Sequence, residues 1–139
     1  MPDEQYGRRA VLAGAGCAAL TVLGGCSLFT TERKPPPPAP TPTPGQVLAK
    51  TNEVPVGGGI LTNTSVLVLQ LRLGDFTAFS ATCPHQFFLV RPPDATGIMT
   101  CTGHQSKFRA VDGVRVDGPA THNLTPIPVR VSGLDVIVT

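Results

Sequence analysis

The sequence has no tryptophan and one tyrosine, and only 14% of its 139 residues are charged. A formal net charge of +2 with no run of Lys and Arg excludes the basic footprint that nucleic-acid binding requires. Long amphipathic helices are excluded too, because they need a charged outer face and few interruptions, whereas this chain contains 15 Gly and 15 Pro. What remains is an all-β domain of short strands and turns, small enough for one core. Cysteine is sparse as well. Cys17 and Cys26 lie in an apolar N-terminal stretch and Cys83 and Cys101 in the C-terminal part, so the four are not one disulfide framework.

The N-terminus reads as an address. Arg8-Arg9 precedes an uncharged stretch from Ala10 to Leu23 rich in Ala, Leu, Val and Gly, the order of a basic region followed by an apolar one. The paired arginines resemble a twin-arginine export signal, without the Ser or Thr usual before the pair. Leu23-Gly24-Gly25-Cys26 resembles a bacterial lipobox, which makes residues 1–25 a cleaved signal and Cys26 a lipidated first residue. The competing reading is an uncleaved helix over residues 10–31, long enough to span a bilayer. Cys17 lacks an apolar residue three positions before it and reads as filler. Residues 26–45 are a tether. Its segment from Pro35 to Pro44 favours polyproline II and would extend about 31 Å at roughly 3.1 Å per residue.

Residues 46–139 form the folded domain. Apolar segments at 60–61, 66–71, 76–79, 98–100, 108–111, 127–131 and 134–138 are bounded by turn formers and read as a meander of strands. Gly74-Asp75, Asp112-Gly113 and Ser132-Gly133 are placed to turn hairpins.

Two segments between these strands carry the chemistry. Cys83-Pro84-His85 and Cys101-Thr102-Gly103-His104 each offer one thiol and one imidazole, with 15 residues between His85 and Cys101. A Cys83–Cys101 disulfide is the bland alternative. A tetrahedral zinc site of two thiolates and two imidazoles is the other, though structural zinc sites pair like residues at C-x₂₋₄-C and H-x₃₋₅-H. One Cys per segment on one iron and one His per segment on a second is the arrangement in which two His replace two Cys on one iron of a two-iron cluster. The spacing C-x-H, fifteen residues, C-x-x-H resembles that of the Rieske family, and the likeness continues through Ser106, Phe108, Asp112-Gly113 and Gly118-Pro119-Ala120.

That resemblance implies a small antiparallel β-sandwich or barrel with a two-loop cluster-binding subdomain. It implies one [2Fe-2S] cluster held by Cys83, His85, Cys101 and His104 and covered by the loop Gly118, Pro119, Ala120. It further implies that Ser106 donates a hydrogen bond to a bridging sulfide. Phe108 stands where high-potential members have a donating Tyr, so the potential is expected in the middle of the roughly −150 to +300 mV Rieske span. Respiratory members clamp the two loops with a disulfide whose positions here are Phe88 and Gly103. Packing by Phe87, Phe88 and the covering loop is expected to close the site instead. Gln105 replaces the Gly usual after the second His. His122 reads as a surface residue.

The function these readings imply is one-electron transfer on the outer face of a bacterial membrane, between redox partner proteins and without intrinsic catalysis. A fixed subunit of a quinol-oxidising complex or of an arsenite-oxidase-like enzyme is the alternative. An oxygenase would need a mononuclear-iron domain after residue 139. The anchor is directly testable: Cys26→Ser is expected to block lipidation and processing, and a wild-type mass that still includes residues 1–25 would overturn the lipoprotein reading.

Overall fold

The computed structural model describes residues 34, 36, 37 and 39–139. Residues 1–33, which carry the expected export signal, Cys17 and the lipobox at Cys26, lie outside the described residues. Among the described residues no helix is long and apolar enough to cross a membrane. Ten strands run β1 (Val47–Lys50), β2 (Gly58–Leu61), β3 (Val66–Arg72), β4 (Asp75–Ser80), β5 (Ile98–Thr100), β6 (Lys107–Arg109), β7 (Arg115–Asp117), β8 (Pro126–Ile127), β9 (Val129–Ser132) and β10 (Asp135–Val138). They form three antiparallel sheets, ordered β1-β10-β9, β2-β3-β4-β8 and β5-β6-β7. The expected all-β class is observed.

Strand β3 organises the molecule. Its sequence Val66-Leu67-Val68-Leu69 is buried at every position, because both of its faces are covered. Side chains alternate between the faces. Val66 and Val68 point into a core shared with Ala49, Val54, Ala78 and Val136, which fills the space toward the β1-β10-β9 sheet. Leu67 and Leu69 point the other way, into a core with Phe79, Met99, Phe108, Cys83 and Cys101. The second core is therefore the floor on which the Cys/His segments rest.

Three hairpins turn as expected on glycines with left-handed backbone, Gly74 at φ 80°, Gly113 at φ 69° and Gly133 at φ 61°. Two strands differ from expectation by being additional. β1 carries only one fully buried side chain, Ala49, and exists because it pairs with β10. β7 is exposed at all three positions and is defined by pairing with β6. The expected strand over residues 127–131 divides into β8 and β9 at Pro128, which has no amide to donate.

The proline-rich tether does not stand clear of the domain throughout. Pro36, Ala39 and Pro42 are half-buried while Pro37, Pro40 and Thr41 are exposed, which is the three-residue period of polyproline II with one face laid down. Ala39 and Pro42 line a groove with Ser65, Val66, Ser80, Thr125 and Ile127. The Gly45 amide then donates to the Val138 carbonyl (2.9 Å) and leads into β1.

Close packing of β2 on β3 generates a prediction. A Cβ on Gly59 would lie 2.3 Å from Leu69 Cδ2 and 2.7 Å from the Val68 carbonyl oxygen, and the latter, being backbone, cannot move aside. Gly59→Ala is expected to destabilise the domain by about 1–3 kcal/mol, read as a lowered urea midpoint.

Candidate metal centre

Two loops rise from the second core, and the same device closes both. In the first, the Cys83 amide donates to the carbonyl of Phe88 (2.8 Å); in the second, the Cys101 amide donates to the carbonyl of Ser106 (2.8 Å). Each bond spans five residues, and the residue before each acceptor is left-handed, Phe87 at φ 60° and Gln105 at φ 61°. Left-handed backbone at a residue with a side chain costs on the order of 1–3 kcal/mol, and such strain concentrates at functional sites. Gln105 thus adopts the conformation that glycine would take freely.

The loops are joined to one another by backbone. Bridges pair Thr82 with Leu89 and Val90 with Cys101. The Leu89 carbonyl then accepts from both the Thr102 amide and the Thr102 hydroxyl, each at 2.9 Å. Thr102 lies inside the C-T-G-H segment, but its partner is a distant backbone oxygen, so sequence pattern alone does not reveal the link.

This framework brings the four expected ligand residues together. The rings of His85 and His104 meet edge to face with centroids 4.7 Å apart. Below them Cys83 and Cys101 are both fully buried and both free thiols, so the disulfide alternative is not what the structure contains. Burial is the main cause pushing the Cys83 thiol up to about 11; the His85 backbone amide opposes it, and the neighbouring Cys101 adds to it. Ionising Cys83 therefore calls for a positive charge, and the core around it contains no basic residue. His85 Nδ1 is buried without a hydrogen-bond partner, a ring nitrogen held ready for a ligand bond. Among the described residues no three His, Cys, Asp or Glu side chains gather as a single-ion site. Two thiols and two imidazoles, one of the latter with an orphaned nitrogen, suit a two-iron unit with two donors on each iron.

The third loop closes over Ser106. The Ser106 hydroxyl is fully buried and accepts a hydrogen bond from the Ala120 amide at 3.0 Å, which leaves its own proton free to donate. Gly118, at φ 87°, lies so close to the second loop that a Cβ would come within 2.4 Å of Ser106 Cα. Ala120 is buried and Pro119 is exposed. Arg115, which sequence reasoning missed, ties this loop down by donating to the Gly118 carbonyl from Nε (3.2 Å) and Nη2 (2.6 Å).

The expected aromatic seal is half corrected. Phe88 is 7% exposed and belongs to the core, but Phe87 is 43% exposed and seals nothing. The backbone at Phe87 is left-handed, and its ring lies at the surface while that of Phe88 lies in the core. Phe108 is fully buried in the same core as the two thiols, and His122 is exposed as expected.

Residues 45–129 match the family model of the Rieske [2Fe-2S] domain, more than half of the chain. No curated protein sequence matches. Among solved structures, the chain is similar to the cyanobacterial plasma membrane Rieske protein from Synechocystis PCC 6803, at 28% identity over 58% of this chain and 83% of that one, with a TM-score of 0.49. It shares its fold with the ferredoxin of carbazole 1,9a-dioxygenase from Nocardioides aromaticivorans IC177, at 17% identity over 70% and 98% of the two chains and a TM-score of 0.55. The same holds for a Sphingomonas yanoikuyae B1 ferredoxin, at 17% identity over 68% and 96% with a TM-score of 0.57.

The geometry of the covering loop predicts that Gly118→Ala, which meets backbone atoms at a left-handed position, costs about 1–3 kcal/mol. The measurement is thermal melting, accompanied by faster bleaching of visible absorption under a water-soluble chelator.

Proposed function

The chain belongs to the Rieske [2Fe-2S] domain family and carries one such cluster for electron transfer, and from that premise we propose that Cys83 and Cys101 bind one iron and His85 and His104 the other. The observation that carries this reading is the pair of identically closed loops, which places two buried thiols beneath two imidazoles. When bound, the cluster supplies reversible uptake of a single electron. The chain's residues do the rest. The core around Cys83, Cys101, Phe108 and Met99 excludes water from the sulfur side. Ser106 holds a proton where it stabilises added negative charge, and the exposed His104 presents a ligand edge to a partner.

The loop segments around that edge carry no charged residue. Residues 83–90, 101–106 and 118–124 contain no Lys, Arg, Asp or Glu, and Phe87 and Leu89 are exposed beside the imidazoles. A redox partner protein therefore meets an apolar, neutral patch, and association draws on burial rather than on long-range steering. We propose that the carrier works on the extracytoplasmic face of a bacterial membrane, tethered through Cys26. Support for this comes from Arg8-Arg9, the apolar stretch after it and the lipobox-like Leu23-Gly24-Gly25-Cys26.

Replacing His85 or His104 singly with Cys is expected to abolish the low-g electron paramagnetic resonance signal of the reduced cluster even where iron is retained. An unchanged signal removes that residue from the ligand set. Tuning gives a second expectation. A hydrogen bond to a charged acceptor is worth about 1.5–3 kcal/mol, and 59 mV corresponds to about 1.4 kcal/mol for one electron, so Ser106→Ala should lower the potential by roughly 60–130 mV. Phe108→Tyr, which adds a donor next to the thiols, should raise it. Redox titration of both variants with the cluster intact checks the pair.

A further inference from the structure

Phe88 does more than fill the core, as its contacts across the two loops show. Its ring comes from the first loop but sits over the second, where a Cβ on Gly103 would lie 2.4 Å from Phe88 Cδ2 and 2.7 Å from Cγ. The aromatic ring thus occupies the volume that any side chain at residue 103 would need. The ring also packs edge to face on the imidazole of His104, with centroids 5.6 Å apart and planes at 77°. His104 in turn meets His85 edge to face at 80°. The three rings form a chain with Phe88, buried at 7% exposure, at one end and the exposed His104 between it and His85. His104 makes no hydrogen bond to another protein side chain or backbone group among the described residues, so its contacts with protein groups that can orient it are those with the Phe88 and His85 rings.

We propose that Phe88 is the positioning residue for the His104 imidazole, and that residue 103 is glycine because the Phe88 ring takes the place of its side chain. This deepens the ligand assignment above and rests on it. Groups that orient a ligand affect metal retention and the electronic character of the site without touching the metal. Phe88 achieves this through shape and an aromatic edge rather than through a hydrogen bond, and it couples the loops because the ring is anchored in one and reads the other.

The test uses the cluster-containing chain and reads the electron paramagnetic resonance envelope of the reduced state together with the rate of bleaching by a chelator. Phe88→Leu, which keeps an apolar side chain and loses the ring, is expected to shift and broaden the low-g feature and to speed bleaching about tenfold. Phe88→Tyr keeps the ring and is expected to preserve the envelope. Gly103→Ala should resemble Phe88→Leu, and the double variant Phe88→Leu/Gly103→Ala should be no worse than either alone, because both remove the same contact. A native envelope in Phe88→Leu, or effects that simply add in the double variant, overturns the proposal and leaves Phe88 as core filling. If Phe88→Leu retains no cluster, Phe88→Met is read by the same criteria. His104→Ala, measured alongside, separates the two readings. If it leaves the signal intact, the ligand assignment fails; if it abolishes the signal while Phe88→Leu is native, only the positioning role fails.

Discussion

Two thiols at the bottom of an apolar core are the constraint around which the site is organised. Cys83 and Cys101 have essentially no exposed surface and share their core with Leu67, Leu69, Phe79, Met99 and Phe108. Burial in such surroundings disfavours the thiolate, and for Cys83 it is the largest influence on the proton. In the proposed ligand set, Cys83, which must ionise to bind iron, is thereby placed where ionisation without iron is unfavourable. The same low polarity that resists a free thiolate strengthens each interaction that stabilises charge once metal is present, so one buried hydroxyl at Ser106 carries unusual weight.

The architecture above that floor is a matter of holding loops without covalent help. Each Cys amide is satisfied five residues onward, and each closure requires a left-handed residue, Phe87 or Gln105, that carries a side chain. Strain of this kind persists only where surroundings over-determine it. Here the determinants are Thr102 with both of its donors on the Leu89 carbonyl, the Phe88 ring on Gly103, and a covering loop fixed by Ser106 from below and Arg115 from the side. None is strong alone. Together they connect all three loops, and they share no residue with the Val66/Val68 core beneath β1 and β10, so the sandwich and the site are packed by largely separate sets of side chains.

Much of this was legible in the sequence where local pattern and global role agree. The Val/Leu alternation of residues 66–69 marks a strand, and the glycines at 74, 113 and 133 mark its turns and those of its neighbours. The Cys/His spacing points to the site by itself. What escaped notice depends on partners distant in the chain. β1 and β7 have little apolar pattern and are strands because β10 and β6 lie beside them. Thr102 and Arg115 act on backbone carbonyls, which leave no trace in residue type. Composition makes the tether a spacer, while its three-residue burial period comes from a groove that only the folded domain creates. Phe87 misled because an apolar residue beside an apolar residue looks like core, and the left-handed turn that separates the pair is not encoded by either side chain.

Mixed ligation, with two imidazoles on one iron and two thiolates on the other, is open to a direct test by nitrogen hyperfine coupling. Electron-nuclear double resonance on the reduced protein, grown with ¹⁵N-histidine, reports each ring nitrogen bound to the iron that localises the electron. The account predicts two directly coordinated histidine nitrogens, one of which disappears in His85→Cys and the other in His104→Cys. A single nitrogen, none, or a coupling that survives both substitutions would contradict it.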